Sequence, residues 1–545
     1  MSSLKTGQLT SHGTPSLEAL SVPGSSDRAH VTEWRFSTRG AAILLFITCW
    51  AIFTLHFATN TVREIYPALT LGDHLSFDVS EYAGLHPDIF EIPGRGSFIN
   101  NNPGASILGA IPYALARPVT DRIVEYVQRR RAASPDSAPP EYDTVYPMAR
   151  EFYREARARG LDVKLGLAAA IMQSLCMAPL SALGAVVMFY VLLNLTGSPR
   201  QSVLLAVLYS VATPVLYRTA QLNQNMLVAD FALFGFALLW RPWDDPVSPR
   251  RPRYLLAGLC SGWAVVLDYS GLVVLLGLSL YGLARRASLP AALKSRADIL
   301  YFCGGVAFCA AVLMAYQWSC FGSPFYPAQQ YMPAVSYTGY GLRGFDWPHL
   351  DLFWQTAFDA RFGLFTSAPL LLLALYVPGW FGKGASLIGR REAWFILIFS
   401  VAFFLFCSAN QYGRMQFNSG VRHIVPVVPF LFLVVAGMIL RLPRIIAVVV
   451  GVVSAYWSWC LAMYRDVELG RGIIESPIHI TLGGPRLPWL VTLEKMGYVQ
   501  TGLLTLAVLA SCTAMLWLLW TIGKRGRRVI PQRLVTSSSA GGYAG

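Results

Sequence analysis

Apolar runs of roughly 16–25 residues recur along this chain, separated by short clusters of arginine and lysine. A run of that length crosses the hydrocarbon core of a bilayer as an α-helix, the one open segment that satisfies its own backbone polar groups. Composition agrees. Of 545 residues, 54% are hydrophobic and 14% charged, whereas a soluble domain carries about 25% charged residues. The sequence therefore predicts an all-α polytopic membrane protein.

A formal net charge of +14 would suit a nucleic acid, but its distribution excludes that partner. The basic residues form tight groups between apolar runs: Arg241, Arg250, Arg251 and Arg253; Arg285, Arg286, Lys294 and Arg296; Lys383, Arg390 and Arg391; Arg441 and Arg444; Lys524, Arg525, Arg527 and Arg528. These are cytoplasmic loops under the positive-inside bias, whereas a nucleic-acid site would be one contiguous basic face. The nine cysteines contain no CxxC pair and mostly lie within apolar runs. They read as small buried residues, with no zinc site and no disulfide framework.

About twelve spans are predicted, near 41–57, 165–194, 202–218, 225–240, 254–268, 271–284, 298–319, 364–380, 393–409, 421–440, 445–463 and 501–522. With the N-terminus inside, every basic cluster falls on the cytoplasmic side. Residues 1–38 then form a disordered cytoplasmic tail, 39–523 the membrane module and 524–545 a basic cytoplasmic tail. Segments 58–164, 320–363 and 464–500 become long outer loops, so the working surface faces outward. "GASILGAIPYALA" (104–116) is short and carries Pro112. Crossing there would turn every later cluster outward, so it is predicted to lie in or dip into the outer interface. Beyond it, "RRRAASPDSAPPEYD" reads as a loop and "PMAREFYREARARG" as a surface helix.

The first outer loop gathers acid. Residues 62–92, "VREIYPALTLGDHLSFDVSEYAGLHPDIFEI", hold six of the chain's 30 carboxylates. Solvation of a loop accounts for any one of them; their density beside a span end favours at least one with a function. A carboxylate there can act as general base towards an acceptor hydroxyl or amine. It can also hold a divalent cation, Mg or Mn, against phosphate oxygens. Glu64 and Asp88, flanked by apolar or Pro/Gly residues, are the leading candidates, with Asp78 in reserve; Asp73 reads as a turn or cap residue. Asn101 and Asn102 in "INNNPG" either contact sugar hydroxyls or cap the following helix.

Arginines on the outer side oppose the positive-inside bias and call for an anionic partner. Arg343 and Arg361 lie among aromatics and glycines, with Tyr340 nearby, and Arg414, Arg422 and His423 lie in "NQYGRMQFNSGVRH". Guanidinium groups suit a lipid phosphate; an ion pair with a first-loop acid is the alternative. Asp268 lies near the outer end of a span. Asp230, nearer mid-depth, could pair with Arg218.

Four stretches together resemble the membrane-embedded GT-C-type glycosyltransferases, in particular glycosyltransferase-39-like or dolichyl-phosphate-mannose-mannosyltransferase-like proteins related to lipid A aminoarabinose transferases. They are "REIYPALTLGDHLSFDV" with "HPD" and "NNNPGASILGAIPYAL"; "LLAGLCSGWAVVLDYSGLVVLL"; "FGSPFYPAQQY" with "RFGLFTSAPLLLL"; and "NSGVRHIVPVVPFLFL". The resemblance implies a sugar donor carried on a polyprenyl phosphate, inversion at the anomeric carbon and a first-loop carboxylate as base. It matches Asp88 to the family's acid before the Pro-Gly turn, Glu64 to the acid near the end of the first span, and Arg422 to the arginine opening the late outer helix. The family's lysine before Pro-Pro is replaced here by Asn101 or Asn102, and its Asp-Glu pair is only Arg63-Glu64. On this reading Arg422, Arg414, His423, Arg343 and Arg361 bind the donor phosphate, and Asn101, Asn102, Arg63 and Tyr340 contact substrate. The expected partners are the polyprenyl-phosphate sugar, membrane lipid and a glycan, lipid or protein acceptor of the cell envelope, at a bacterial inner membrane. The rival reading is a lipid or glycolipid transporter or flippase, which should show internal repeats; none is evident.

Overall fold

The computed structural model describes residues 36–58, 62–133, 142, 144, 147–240, 250–289, 294–376, 378–382, 386–415, 422–464 and 472–525. The expected tails at 1–38 and 524–545 lie almost wholly outside them, as do Arg241, Lys383, Arg527 and Arg528 of the basic clusters.

The chain runs α1 (Thr38–Leu55), α2 (Ile65–His74), a hairpin β1 (Ile89–Ile92) and β2 (Gly96–Ile99), then α3 (Gly104–Ala132) and α4 (Pro147–Ala158). It continues α5 (Asp162–Met172), which passes through a π-turn at Gln173–Met177 into α6 (Ala178–Thr196), then α7 (Pro199–Val211), α8 (Pro214–Arg218), α9 (Gln224–Trp240), α10 (Arg250–Leu267), α11 (Gly271–Ala287) and α12 (Arg296–Phe321). The last third holds α13 (Leu350–Phe358), α14 (Leu364–Ser367), α15 (Pro378–Phe381), α16 (Arg390–Ala409), α17 (Val428–Ile439), α18 (Arg444–Met463), α19 (Glu475–Gly483), α20 (Pro488–Lys495) and α21 (Thr501–Arg525). Among the described residues six helical stretches are long and apolar enough to cross a membrane: Thr38–Leu55, Asp162–Thr196, Arg296–Phe321, Arg390–Ala409, Arg444–Met463 and Thr501–Ile522. The chain is thus a mostly helical integral membrane protein.

Helix ends follow local chemistry. Ser37, Ser198, Thr213 and Ser295 cap α1, α7, α8 and α12 by accepting a backbone N–H of the first turn, and Pro199 and Pro214 follow their caps directly. Gly197 and Gly322 close α6 and α12 with φ of 66° and 77°.

One end of the bundle collects the helix ends that the sequence places outside. Ala58 donates to the Ala220 carbonyl, Trp489 to the Leu55 carbonyl, Asn102 to the Val265 carbonyl and Gln317 to the Tyr269 hydroxyl. The 340s loop joins the same end, with Asp346 donating to Ala409 and His349 to Ser408. Arg251, Arg253, Arg285, Arg286, Arg296, Arg390, Arg391 and Arg444 sit at the opposite ends of these same helices. There Tyr281 donates to Glu392 at 2.9 Å.

Packing of α9, α11, α16 and α17 rests on an aromatic knot. The rings of Phe236, Tyr281, Phe395, Phe399 and Phe430 lie with centroids 4.8–5.6 Å apart. Each such pair adds about 0.5–1.5 kcal/mol beyond its area burial. The knot fixes α17, and with it the segment just before α17 that carries Arg422 and His423.

Three expectations need correction. The run 364–380 is not one span: α14 gives way to a 3-10 turn at Pro369–Leu375 and then α15. Pro369 and Pro378 each remove a backbone donor, and the broken stretch packs against α17; irregular backbone at membrane depth needs such cover. Residues 202–218 divide at Thr213-Pro214 into α7 and α8. The short interfacial helix is 29 residues long, α3 running through Pro112 and Pro118 to Ala132, so 129–132, the start of the expected loop, is helix. Pro118 is tolerated because it and Ala114, whose carbonyl it frees, are exposed.

Both ends of α3 are tied to neighbouring helices. Its start packs on the α10 end, and its last turn meets the first residue of α5, where Arg131 forks onto Asp162 at 2.9 and 2.8 Å. Ile111, Leu115, Val119 and Ile123 form an exposed apolar stripe along it. The hairpin is a small departure from all-α, with Ile89 paired to Ile99 and Ile92 to Gly96. Gly94 at φ 74° and Gly96 at φ 116° turn it where other residues would strain.

Candidate functional site

The site grows from the first turn after α1. Arg63 Nη1 donates to Asp88 Oδ2 at 3.2 Å and to Asn100 Oδ1 at 3.1 Å, and its Nε lies 3.5 Å from Glu64 Oε1. One guanidinium therefore ties the α2 N-cap residue, the "HPD" turn and the asparagine turn together. Glu64 is 6% exposed, whereas Asp88 keeps 33% of its side chain open. Burial raises the Glu64 carboxyl above its ordinary value, against the pull of Arg63 and Arg422.

The asparagine turn is held from below. Asn102 donates to the Val265 carbonyl at 2.8 Å, Tyr316 donates to the Asn101 carbonyl at 3.2 Å, and Ser106 donates to the Glu64 carbonyl at 2.8 Å. A Cβ on Gly104 would meet backbone atoms of Val266 and Leu267 at 2.8 Å, so only glycine lets α3 start this close to α10. Of the two uses open to the asparagines, capping is not seen: α3 has no side-chain cap bond.

From the other side of the bundle end comes Arg422. It is half-buried and within electrostatic reach of Glu64, Asp88, Arg63 and Arg218. Burial, with the like charges of Arg63 and Arg218, pushes its guanidinium down to about 10, and Glu64 and Asp88 oppose the shift. It remains a cation at neutral pH. Arg422 Nη2 lies 3.1 Å from His423 Nε2. Burial and the Arg422 charge hold His423 well below its usual range, so the ring is neutral and its Nε2 accepts from Arg422, leaving the proton on Nδ1. A small pocket opens beside the pair, lined by Thr356, Phe362, Cys407 and Asn410 as well as Arg422 and His423.

The structure thus brings Arg63, Glu64, Asp88, Asn100, Arg422 and His423 into one group, with Arg218 beside it. Asn100 and Arg218 were missed as site residues. Arg218 had a signal, a lone arginine at the outer end of an apolar run. Asn100 had none apart from its neighbours. Asp230, which the sequence could pair with Arg218, instead accepts from Ser181 at 2.8 Å.

Other candidates are engaged elsewhere. Asp78 Oδ1 accepts from the Ser80 and Ser97 N–H groups, each at 3.0 Å, which fastens the hairpin to the preceding turn. Asp73 is neither turn nor cap: it pairs with Lys164 at 2.7 Å and Arg117 at 3.2 Å, and accepts from Tyr113. Arg414 pairs with Asp351 and donates to Gln411 at 2.9 Å. Arg343, at φ 51°, donates to the Met332 carbonyl at 2.7 Å. Arg361 lies over the ring of Phe362, a wall of the pocket. Tyr340 is exposed next to Tyr337. Asp73, His74 and Glu81 bring metal-ligand atoms within 4.8 Å of one another, but the two cations already on Asp73 make this a poor cage for a divalent ion.

No family model and no curated protein matches the chain. Two solved structures are similar at the level of the backbone. One is described as ArnT from Cupriavidus metallidurans bound to undecaprenyl phosphate, at 14% identity and TM-score 0.40 over 84% of this chain and 75% of that one. The other is the same protein in the apo state, at 14% identity and TM-score 0.41 over 85% and 78%.

Proposed function

We propose that this protein is a membrane glycosyltransferase of GT-C-like architecture that moves a sugar from a polyprenyl-phosphate carrier to an acceptor of the cell envelope. The observation that carries this reading is the meeting of Arg63, Glu64 and Asp88 with half-buried Arg422 and neutral His423 at one end of the bundle. Partly buried arginines near one another gain most from an anion that can accept several N–H bonds at once, and a lipid phosphate brings such an anion to this depth.

In this reading the donor phosphate lies against Arg422, with Arg218 and the Nδ1–H of His423 beside it. Asp88, the more open carboxylate, takes the proton of an acceptor hydroxyl or amine. The freed electron pair attacks the anomeric carbon from the face opposite the phosphate. The carbon–oxygen bond to phosphate breaks, its electrons stay on the departing polyprenyl phosphate, and the anomeric centre inverts. The arginines stabilise the charge that builds on that oxygen. Arg63 positions Asp88 and neutralises Glu64. Arg63 contacts one oxygen of each carboxylate, and in this reading the guanidinium groups supply the positive charge at the phosphate. The wider reading has about twelve spans across residues 39–523, both termini cytoplasmic and the site facing outward at a bacterial inner membrane.

The test is transfer from a polyprenyl-phosphate-linked sugar by purified protein in liposomes. Asp88→Asn, Glu64→Gln and Asp78→Asn are compared separately. The first should lower turnover by about 10²–10⁴-fold, and full activity in all three would remove the first-loop base.

A further inference from the structure

The turn between α10 and α11 gathers buried polar groups that the phosphate chemistry leaves unused. Asp268 Oδ2 accepts from Gln224 Nε2 at 2.8 Å and its Oδ1 accepts from the Ser270 N–H at 2.8 Å. Both donors are neutral, yet the Asp268 charge reaches Arg63 and also Cys407, a wall of the Arg422 pocket. The turn therefore borders the charged group described above.

Around it stand polar atoms without a partner among the described residues: Gln224 Oε1, the Asn225 side-chain NH2, Ser270 Oγ and the Asn101 side-chain NH2. All four residues are 2–3% exposed. They form one neighbourhood. Gln224 and Ser270 meet on Asp268, Asn225 follows Gln224 on the first turn of α9, and the 101–102 turn is pinned to Val265 three residues before Asp268. A buried donor or acceptor left unpaired costs about 1–3 kcal/mol, so a fold rarely gathers several in one place without a use.

We propose that Gln224, Asn225, Ser270 and Asn101 form a hydroxyl-binding subsite for the sugar of the lipid-linked donor, beside the phosphate held by Arg422. The inference rests on the transferase reading and deepens it. Two carboxamide donors, one carboxamide acceptor and one hydroxyl are the complement of a neutral polyol, whose every hydroxyl both donates and accepts. No cation takes part, so the subsite distinguishes sugars by the arrangement of hydroxyls and not by charge.

Ser270→Ala and Asn225→Leu make the clean test, because each removes a polar atom with no partner among the described residues and should leave the melting temperature unchanged or slightly raised. Binding of a polyprenyl-phosphate hexose and of bare polyprenyl phosphate is measured on detergent-purified full-length protein. Wild type should hold the glycosylated lipid at least tenfold more tightly than the bare one, and either variant should cut that ratio at least threefold while leaving bare-lipid affinity unchanged. A ratio unmoved in both variants, as for atoms that bind only water, overturns the subsite, and so does equal weakening of both lipids. If bare polyprenyl phosphate fails to bind wild type, the phosphate reading falls by itself. The subsite is then judged by free hexoses and pentoses at millimolar concentration: stabilisation of wild type but not of Ser270→Ala supports it, and no stabilisation overturns it.

Discussion

Arg63 donates to Asp88 at 3.2 Å, joining a residue two positions before α2 to a turn 25 positions further on. The same guanidinium serves Glu64 at 3.5 Å, so the two carboxylates differ in what they lose when it is removed. Asp88→Asn should leave the melting temperature within a few degrees, since a partly open ion pair is worth about 0–1 kcal/mol, while lowering transfer by about 10²–10⁴-fold. Arg63→Ala should cost about 3 kcal/mol, because it strands a buried glutamate. Thermal unfolding beside single-turnover transfer separates the two. Equal loss of stability in both variants would contradict the assigned roles.

Arg422 and Arg414 lie in the same loop but are differently engaged. Arg422 is half-buried next to His423 and near two other guanidinium groups; Arg414 is bound to Asp351 at the rim. Arg422→Gln should weaken polyprenyl-phosphate binding at least tenfold, about 1.4 kcal/mol. Arg414→Gln should change it less than twofold. Comparable losses, measured by titration in detergent, would place the phosphate elsewhere.

Gly104→Ala tests the seat of the asparagine turn. The added methyl would lie 2.8 Å from backbone atoms of Val266 and Leu267, neither of which can rotate away. A cost of about 1–3 kcal/mol is expected, with weakened transfer because the turn carries Asn100 to Arg63. An unchanged melting temperature would mean that α3 and α10 stand further apart.

The first loop should weaken in acid through His86. Burial pushes this imidazole down to about 4, with Arg63 adding to the shift and Asp88 opposing it, and its Nδ1 accepts from the Asp88 N–H at 3.0 Å. In the unfolded chain it titrates near about 6.5. The folded state therefore binds this proton less readily than the unfolded one. Its contribution is fully present above about 6.5, declines as pH falls towards about 4, and changes no further below that. Between pH 7 and 4.5 the melting temperature of wild type should fall more steeply than that of His86→Asn. Parallel curves would show that His86 is not responsible.

Much of the helical skeleton was legible in the sequence because helix formation in an apolar medium is a local matter. A run that is long and apolar enough satisfies its own hydrogen bonds, and its ends are marked by capping residues and basic clusters. The expected 165–194 and 298–319 thus correspond to Asp162–Thr196 and Arg296–Phe321. The surface helix after residue 146 was equally plain, its charges interleaved along Pro147–Ala158. The 3-10 break after Pro369 was not, because an apolar run reads alike whether lipid or protein covers it, and only the packing on α17 decides which.

The candidate site divides in the same way. The sequence by itself marked an acid-rich loop and arginines on the wrong side of a membrane. It put Glu64 and Asp88 ahead of the other acids from their flanking residues, but could not say which partners each meets, because those come from residues distant in the chain. Tertiary structure turned Asp78 towards the hairpin and Asp73 towards Lys164, and left Asp88 half open beside Arg63. It also drew Arg422 from more than 300 positions away into reach of Glu64. Charges that meet across such separations are placed by the packing of whole helices, and no local pattern of residues records where those helices come to rest.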